Sequence, residues 1–192
     1  MPTFTPHQDA ALKSVAAWLE ARPGSRGTPQ IFRLFGYAGT GKTTLARHLA
    51  EGVDGEVAFG AFTGKAALVM RRKGCADAST IHSMIYRARD SGEETPSFEL
   101  WDEAPAAKAS LIVIDECSMV DAELGRDLLS FGVPVLVLGD PARASYTDQA
   151  LAPADAADTE TLALFTHNEG ARAAVRHVRK IKELTGHKAP AH

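Results

Sequence analysis

Residues 36–43, GYAGTGKT, combine glycines with one lysine and one threonine at a spacing suited to holding a polyphosphate. Glycines let the backbone N–H groups of such a turn face an anion, and the N-terminus of a following helix favours negative charge. The lysine would reach the β and γ phosphates, and the hydroxyl of Thr43 would bind Mg²⁺. A plain glycine turn is the alternative. We predict that ATP and Mg²⁺ bind to a loop made by the residues Gly36, Ala38, Gly39, Thr40, Gly41, Lys42, Thr43 and Thr44.

Carboxylates follow two apolar runs farther along the chain. Asp115 and Glu116 end the run LIVI, and buried charges of this kind need a partner, which a nucleotide-bound Mg²⁺ would supply. Asp115 would hold the metal through its water shell, and Glu116 would orient and deprotonate the attacking water. Asp140 follows VLVLG, where it could sense the metal or the γ-phosphate, unless it is only part of a Gly-Asp turn. We therefore predict ATP hydrolysis, with Lys42, Glu116 and Asp140 as catalytic residues.

The elements that position these groups alternate between strands and helices. Thr5, Pro6 and Gln8 form a capping-box pattern that begins a helix reaching about residue 20. Apolar runs typical of parallel strands buried on both faces lie at 31–36, 57–62, 110–116 and 134–140. Helical patterns lie at 43–51, 64–73 and 121–131. This order predicts an α/β fold with a parallel sheet flanked by helices on both faces, and the motifs fall at the carboxyl ends of its strands, where ligands bind.

Two segments do not fit this alternation. Residues 87–108 are polar and acidic without a clear period, and we expect them to form an excursion from the sheet. Beyond residue 143 the chain becomes rich in Ala, Asp and Thr, which indicates a linker at 144–161. LALFTH at 162–167 could be one more strand, and a basic helix is predicted from 168 to 186.

The composition excludes some kinds of site. The 192 residues carry a net charge of −3, so any contact with a polyanion must use a local patch. Cys75 and Cys117 lie far apart without a zinc-ligand spacing, which suggests two reduced thiols rather than a metal or disulfide site. The sequence has no run of about 20 apolar residues and no signal-peptide pattern, so we expect a cytoplasmic protein with no membrane partner.

The motifs together resemble those of one family. Gln8, GYAGTGKT, FTGKAA, STIHS, LIVIDECSMVD and VLVLGDPA occur in the order and approximate spacing of superfamily-one DNA helicases of the RecD-like and Dda-like kind. The resemblance covers residues 3–143 and implies a P-loop NTPase fold, the first RecA-like motor domain of such a helicase. It implies that Gln8 recognises adenine, a role that can coexist with capping. It also implies contacts to single-stranded DNA by the residues Thr63, Gly64, Lys65, Ser79, Thr80 and His82.

His82 and two aromatic residues near it in the sequence, Phe62 and Tyr86, could instead have purely structural roles. His82 could be a helix-start residue satisfied by local hydrogen bonds. Phe62 and Tyr86 could offer faces on which bases stack, although aromatic residues beside an apolar strand are more often part of the core.

The chain departs from the family after its third motif. The family has Gln where Arg143 stands, and a guanidinium can bind the nucleotide phosphates but cannot accept a hydrogen bond from the attacking water. Residues 162–192 resemble only the opening strand and helix of a second motor domain. We therefore expect MgATP hydrolysis and binding of single-stranded DNA, but no unwinding by this chain alone. A protein partner could supply a second motor domain or an arginine finger.

Other functions remain open from the sequence. The main alternative is a nucleotide-dependent accessory protein that binds DNA or a partner without significant turnover. A third possibility is that the chain is a decayed or internally deleted helicase, which would have no activity. A small kinase would have no reason to contain FTGKAA or STIHS.

Overall fold

A computed structural model of the chain describes residues 4–25, 27–89 and 97–140 in full, together with the backbone of residues 159–164. The elements of the first part are α1 (Pro6–Glu20), β1 (Ile31–Gly36), α2 (Lys42–Ala50), β2 (Val57–Ala61), α3 (Gly64–Arg72), β3 (Ser79–Thr80) and α4 (Ile81–Ile85). The elements of the second part are β4 (Tyr86–Arg89), β5 (Ser97–Leu100), α5 (Pro105–Lys108), β6 (Leu111–Asp115), α6 (Ala122–Leu129), β7 (Val135–Gly139) and β8 (Thr159–Leu164). A single 3₁₀ turn, Cys117–Met119, follows β6.

The main sheet contains six parallel strands in the order β3-β2-β6-β7-β1-β8. All residues of β1 and β7 are buried, as the continuous apolar runs predict for strands covered on both faces. Because β1, β6 and β7 are neighbours, the groups that follow them meet at one edge of the sheet. The predicted α/β fold with a parallel sheet is confirmed.

Helices cover both faces of the sheet, and the alternation of side chains along β6 separates the two layers. Leu111 and Val113 pack in the cluster that holds Val15 and Trp18 of α1 and Leu45 of α2. On the other face, Ile112 and Ile114 pack in the cluster that holds apolar residues of α4 and α6, namely Ile81, Met84, Ile85, Leu124 and Leu128. The core therefore lies on both sides of the strands that carry the predicted chemistry.

The segment after α4 leaves the main sheet and forms a separate antiparallel ribbon. β4 and β5 pair from Tyr86↔Leu100 to Arg89↔Ser97, and Arg87 Nη2 lies 2.7 Å from Glu99 Oε1. We predict an excursion here but no strands, because each strand has only four residues within a segment that is otherwise polar and acidic.

The strand β8 lies at the edge of the main sheet beside β1. The pairs run from Ile31↔Thr159 to Gly36↔Leu164. The predicted boundary between a linker and a second unit, at residue 161, therefore falls inside this strand. Its first residues, Thr-Glu-Thr, are polar and give no apolar signal, which is why the sequence places the start of the strand too late.

In the part of the chain that the structure describes, no helix is long and apolar enough to cross a membrane.

Candidate nucleotide-binding site

The glycine-rich turn joins the end of β1 to the start of α2. Gly39 and Gly41 have φ angles of 81° and 85°, in the left-handed region that glycine adopts without a steric penalty. Thr40 closes the turn, since its hydroxyl donates to the Tyr37 carbonyl at 2.8 Å. The turn therefore has the backbone shape that its glycine spacing predicts.

Lys42 is the first residue of α2, and its ammonium group lies over the turn. Nζ donates to the carbonyl of Gly36 and, at 3.0 Å, to that of Tyr37. Burial lowers the pKa of Lys42; the carboxylates of Asp115 and Asp140 oppose this lowering, and the positive charge of Lys73 adds to it. The ammonium thus lies at the junction of the turn and two acidic strand ends.

Thr43 and Asp115 connect the turn to β6. The hydroxyl of Thr43 donates to Asp115 Oδ2 at 2.8 Å, and the Thr43 side chain is buried. A hydroxyl and a carboxylate are oxygen ligands of the kind that Mg²⁺ prefers. Among the described residues no cluster of three or more His, Cys, Asp and Glu side chains could hold a metal ion. The pair fits a Mg²⁺ ion that takes its remaining ligands from nucleotide phosphates and water.

Glu116 follows β6 and has an unusual backbone conformation. Its φ and ψ angles are 52° and 46°, in the left-handed region that non-glycine residues rarely adopt. Its backbone N–H donates to Asp115 Oδ1 at 2.9 Å. Non-glycine residues in this conformation cluster at functional sites, where the surrounding structure holds them in place. This turn leaves the Glu116 side chain exposed beside the buried end of the strand.

These groups line one cleft of about 520 Å³ at the carboxyl ends of β1, β6 and β7. Asp140, just after β7, lines it as predicted, and Arg143 lies outside the described residues. The cleft is also lined by Lys73, which follows α3 and which the motifs do not single out. The only sequence signal for Lys73 is its place in the basic run RRK, which is equally typical of a solvated helix end.

Gln8 contacts the turn from α1. Its Nε2 donates to the Thr40 carbonyl at 3.0 Å, and its Oε1 accepts from the backbone N–H of Thr5 at 3.0 Å. The predicted capping box is present, because Thr5 also accepts from the backbone of Gln8. Gln8 therefore ties the start of α1 to the nucleotide-binding turn.

The residues that the resemblance assigns to DNA lie at the ends of β2 and β3, which pair with each other. Thr63 caps α3 by accepting from Ala66 N at 3.2 Å, and Thr80 caps α4 by accepting from Ser83 N at 3.2 Å. The remaining residues follow or flank these caps: Gly64 and Lys65, both exposed, and Ser79, which is half-buried. The structure thus brings the candidates together beside the β6 end of the cleft.

His82 lies between two aromatic rings rather than in a capping position. Its ring centroid is 6.2 Å from that of Phe62 and 5.8 Å from that of Tyr86. The hydroxyl of Tyr86 donates to the Asp127 carboxylate, and burial together with this bond raises the pKa of Tyr86. Phe62 and Tyr86 both pack against the core, while His82 is exposed. The N-terminal cap of α4 is made by the Thr80 side chain, whereas the His82 carbonyl accepts from the N–H of Tyr86 at the other end of the helix.

Comparison with known proteins identifies one family. A family model described as an AAA domain matches residues 26–180 of the chain. Among curated proteins, the ATP-dependent DNA helicase dda of Enterobacteria phage T4 is 33% identical over 112 residues, which cover 55% of this chain and 26% of that helicase.

Solved helicase structures share the fold. Bacteroides Pif1 bound to ssDNA superposes with a TM-score of 0.53 at 20% identity, covering 96% of this chain and 47% of that one. Unliganded Pif1 from Bacteroides sp gives a TM-score of 0.52 at 20% identity, with the same coverage of 96% and 47%. The chain therefore spans less than half the length of these relatives.

Proposed function

Because the chain belongs to the AAA domain family and is a helicase-like P-loop domain of superfamily one, we propose that it binds MgATP and hydrolyses it. The observation that carries this proposal is the 2.8 Å hydrogen bond from Thr43 to Asp115, which joins the glycine-rich turn to the acidic end of β6. A glycine turn with no ligand would have no need for a buried hydroxyl paired with a carboxylate at this position. The T4 relative is named as an ATP-dependent helicase, which supports the same nucleotide.

Each side chain of the cleft has a distinct part in the proposed reaction. The N–H groups of the turn and the Lys42 ammonium bind the β and γ phosphates, with the ammonium exchanging its bonds to two loop carbonyls for bonds to phosphate. Glu116 accepts a proton from the attacking water, a role that suits an exposed carboxylate. Mg²⁺ bound by Thr43 and Asp115 would supply charge neutralisation at the phosphates.

Gln8 is proposed to recognise adenine. Its amide makes one bond from Nε2 and accepts one at Oε1, so one hydrogen and one lone pair remain. A donor and an acceptor side by side match the N7 acceptor and N6 donor of adenine. The contact to the Thr40 carbonyl would then couple the base to the phosphate-binding turn.

Single-stranded DNA is proposed to bind along the ends of β2 and β3. The support is the grouping of Thr63, Lys65, Thr80 and His82 at one edge, together with the ssDNA complex of the Pif1 relative. Exposed Lys65 supplies a phosphate contact, and the exposed ring of His82 supplies a stacking face. The finer assignment to RecD-like helicases rests on the motifs alone.

The proposed unit of activity is a single motor domain. We assign it residues 1–143, with β8 as an added edge strand, and relate the residues after β8 to the beginning of a second motor domain. Translocation requires two domains that open and close around the nucleotide, so this motor domain is not expected to unwind DNA without a second one. An arginine finger is worth about 10³ to 10⁵ in rate in P-loop enzymes that depend on one.

MgATP affinity measured by calorimetry, and ATPase rates with and without single-stranded DNA, test the nucleotide function. Lys42→Ala should weaken MgATP binding by at least about tenfold, because charge-assisted hydrogen bonds to phosphate are lost. Glu116→Gln should retain binding while its hydrolysis falls by about 10² or more. Lys108→Ala, an exposed residue outside the cleft, is the matched control. Unchanged affinity in Lys42→Ala would refute the site. Binding without turnover in either wild type or Glu116→Gln would favour the accessory protein.

Fluorescence anisotropy with a labelled single strand tests the DNA site. Lys65→Ala and His82→Ala should each weaken binding, and Lys65→Ala should also reduce the dependence of affinity on salt. Lys13→Ala on α1 should leave both unchanged. Equal affinity in all variants would mean that DNA does not bind at these residues.

A further inference from the structure

Lys73 lines the nucleotide cleft, and none of the residues that the structure describes forms an ion pair with it. It is the C-terminal cap residue of α3, and it lines the cleft together with Asp115 and Glu116. Its side chain is exposed, and the described part of the chain offers it no ion pair and no side-chain hydrogen bond. A cation in this position can bind an anion without first breaking another contact.

The backbone of Lys73 is held in place from several directions. Its N–H donates to the carbonyls of Val69 at 3.2 Å and Met70 at 3.0 Å, and Cys75 N donates to Met70 O at 3.1 Å. Gly74 follows with a φ of 97°, and a Cβ there would lie only 2.8 Å from Cδ of Arg47. The stem of Arg47 on α2 therefore packs over this turn.

A second anchor closes the far side of the same turn. Arg71 Nε donates to the carbonyl of Ala78 at 2.6 Å, and Cys75 is buried. Lys73 is thus an exposed side chain on a backbone held by these contacts, which limits the entropy that the backbone loses when the ammonium group binds a ligand.

The topology indicates which end of the nucleotide Lys73 would meet. α3 follows β2, and β2 pairs with β6 so that Ala61 lies opposite Asp115. Lys73 therefore enters the cleft from the side of Asp115 and Glu116. Gln8, which contacts Thr40 in the turn, does not line this cleft. Lys73 and Lys42 are close enough that the charge of Lys73 contributes to the lowered pKa of Lys42, after burial, the largest cause.

We propose that the Lys73 ammonium binds the γ-phosphate of ATP and so supplies, from within the chain, positive charge at the phosphate that is transferred to water. The proposal deepens the function argued above and rests on it, because it assumes that MgATP occupies the cleft. Lys42 and Lys73 would then bind the γ-phosphate from two directions, one from the turn and one from the end of α3. ATP would gain a contact that ADP lacks.

Comparison of ATP and ADP affinities tests this assignment. The variants are Lys73→Met, the conservative Lys73→Arg, and Arg72→Met as a matched control on the neighbouring residue, which does not line the cleft. Calorimetry would use ADP and a non-hydrolysable ATP analogue with Mg²⁺, and single-turnover hydrolysis would follow ATP itself. Thermal unfolding of each variant checks that it is folded.

The expected result is a selective loss of affinity for the triphosphate. Lys73→Met should bind the ATP analogue about tenfold more weakly, the size of one charge-assisted hydrogen bond, with ADP affinity unchanged and slower single-turnover hydrolysis. Lys73→Arg should restore most of the difference, and Arg72→Met should behave as wild type.

Two outcomes would overturn the proposal. Equal weakening of ATP and ADP binding would mean that Lys73 acts only through the general field of the cleft, and wild-type behaviour would mean that it does not touch the nucleotide. Neither would contradict the MgATP function as long as wild type binds MgATP and Lys42→Ala binds it more weakly. If wild type itself bound no nucleotide, the underlying function would be wrong instead.

Discussion

At the scale of single residues, the backbone of Glu116 combines a strained conformation with a position beside the predicted metal ligand. The left-handed region costs a non-glycine residue about 1 kcal/mol or more. Glu116→Gly should therefore be more stable than Glu116→Ala by about 1 kcal/mol, although both lack the carboxylate and both should lose hydrolysis. Urea unfolding of the two variants measures the difference. Equal stability would mean that this conformation carries no cost here.

Lys42 makes a second residue-level prediction, on the dependence of stability on pH. Burial holds its pKa below the ordinary 10.5, so between the two values the unfolded chain binds more protons than the folded one. Stability that depends on Lys42 therefore rises with pH through that window and is constant above about 10.5. Relative to Lys42→Met, wild type should gain stability as the pH rises from the lowered pKa of Lys42 towards 10.5.

Urea unfolding of wild type and Lys42→Met at several pH values shows whether stability rises or falls with pH. Lys13, whose pKa is shifted in the opposite direction, offers a control. The hydrogen bond to Asp9 raises the pKa of Lys13, so its contribution is constant below 10.5 and is lost only above it. Lys13→Met should therefore not reproduce the rise. A fall in the stability of wild type relative to Lys42→Met over this range would contradict the burial of the ammonium.

The grouping of the motif residues in one site could be predicted from the sequence, whereas the position of Lys73 in that site could not. Thr43 and Asp115 belong to motifs that each follow a predicted parallel strand, so the sequence already predicts that they meet at one edge of the sheet. Lys73 lines the cleft from the end of α3, beside a turn on which Gly74 lets the stem of Arg47 pack closely. The contact between Arg47 and Gly74 depends on how α2 packs against the end of α3, which a local sequence pattern does not predict.

At the scale of elements, the end of β7 is packed tightly against β1 beneath the turn. A Cβ on Gly139 would lie 2.6 Å and 2.7 Å from ring atoms of Phe35 and 3.4 Å from the sulfur of Cys117. Phe35 is buried and has no room to move away. Gly139→Ala should lower the free energy of unfolding by about 1–3 kcal/mol and disturb the site, because Asp140 and Gly36 are adjacent in the chain to the residues that must shift.

Gly64→Ala is the matched control at the element scale. No atom lies within 4 Å of a Cβ on Gly64, which is the first residue of α3. Alanine also favours the helix, so this variant should be as stable as wild type or slightly more so. If Gly139→Ala were as stable as Gly64→Ala, the contact between β7 and Phe35 would be looser than it is in the structure.

Elements with a strong apolar pattern could be predicted, and short or polar ones could not. α1 begins and ends where its capping box and last apolar residues predict, and the buried runs give β1, β6 and β7. β3 has only two residues and α4 only five, so neither offers a full period to detect. β4 and β5 are stabilised by pairing with each other and by ion pairs such as Arg87 with Glu99. These contacts join residues that are distant in sequence, so a local sequence pattern does not predict them.

At the scale of the whole molecule, the order of strands explains why distant motifs form one cleft. β6 and β1 both neighbour β7, so the glycine turn, the Asp115-Glu116 pair and Asp140 emerge side by side. β2 and β3 continue the same edge beyond β6, where the proposed DNA residues lie. Nucleotide and DNA sites on adjacent strand ends would allow one to affect the other through β6 and β2.

The opposite edge of the sheet gives the last prediction, which concerns how the chain divides into units. β8 covers β1 along its whole length, so a chain ending at residue 140 would expose the backbone of the strand that carries the turn. This shortened chain should unfold at lower urea concentration than the full chain and associate at high protein concentration, as light scattering would detect. Substituting Leu162 by proline in the full chain should have a similar but smaller effect, because proline fixes φ and is poorly accommodated inside a strand. Unchanged stability in the shortened chain would instead favour the division predicted from sequence, in which residues 162–192 belong to a separate unit.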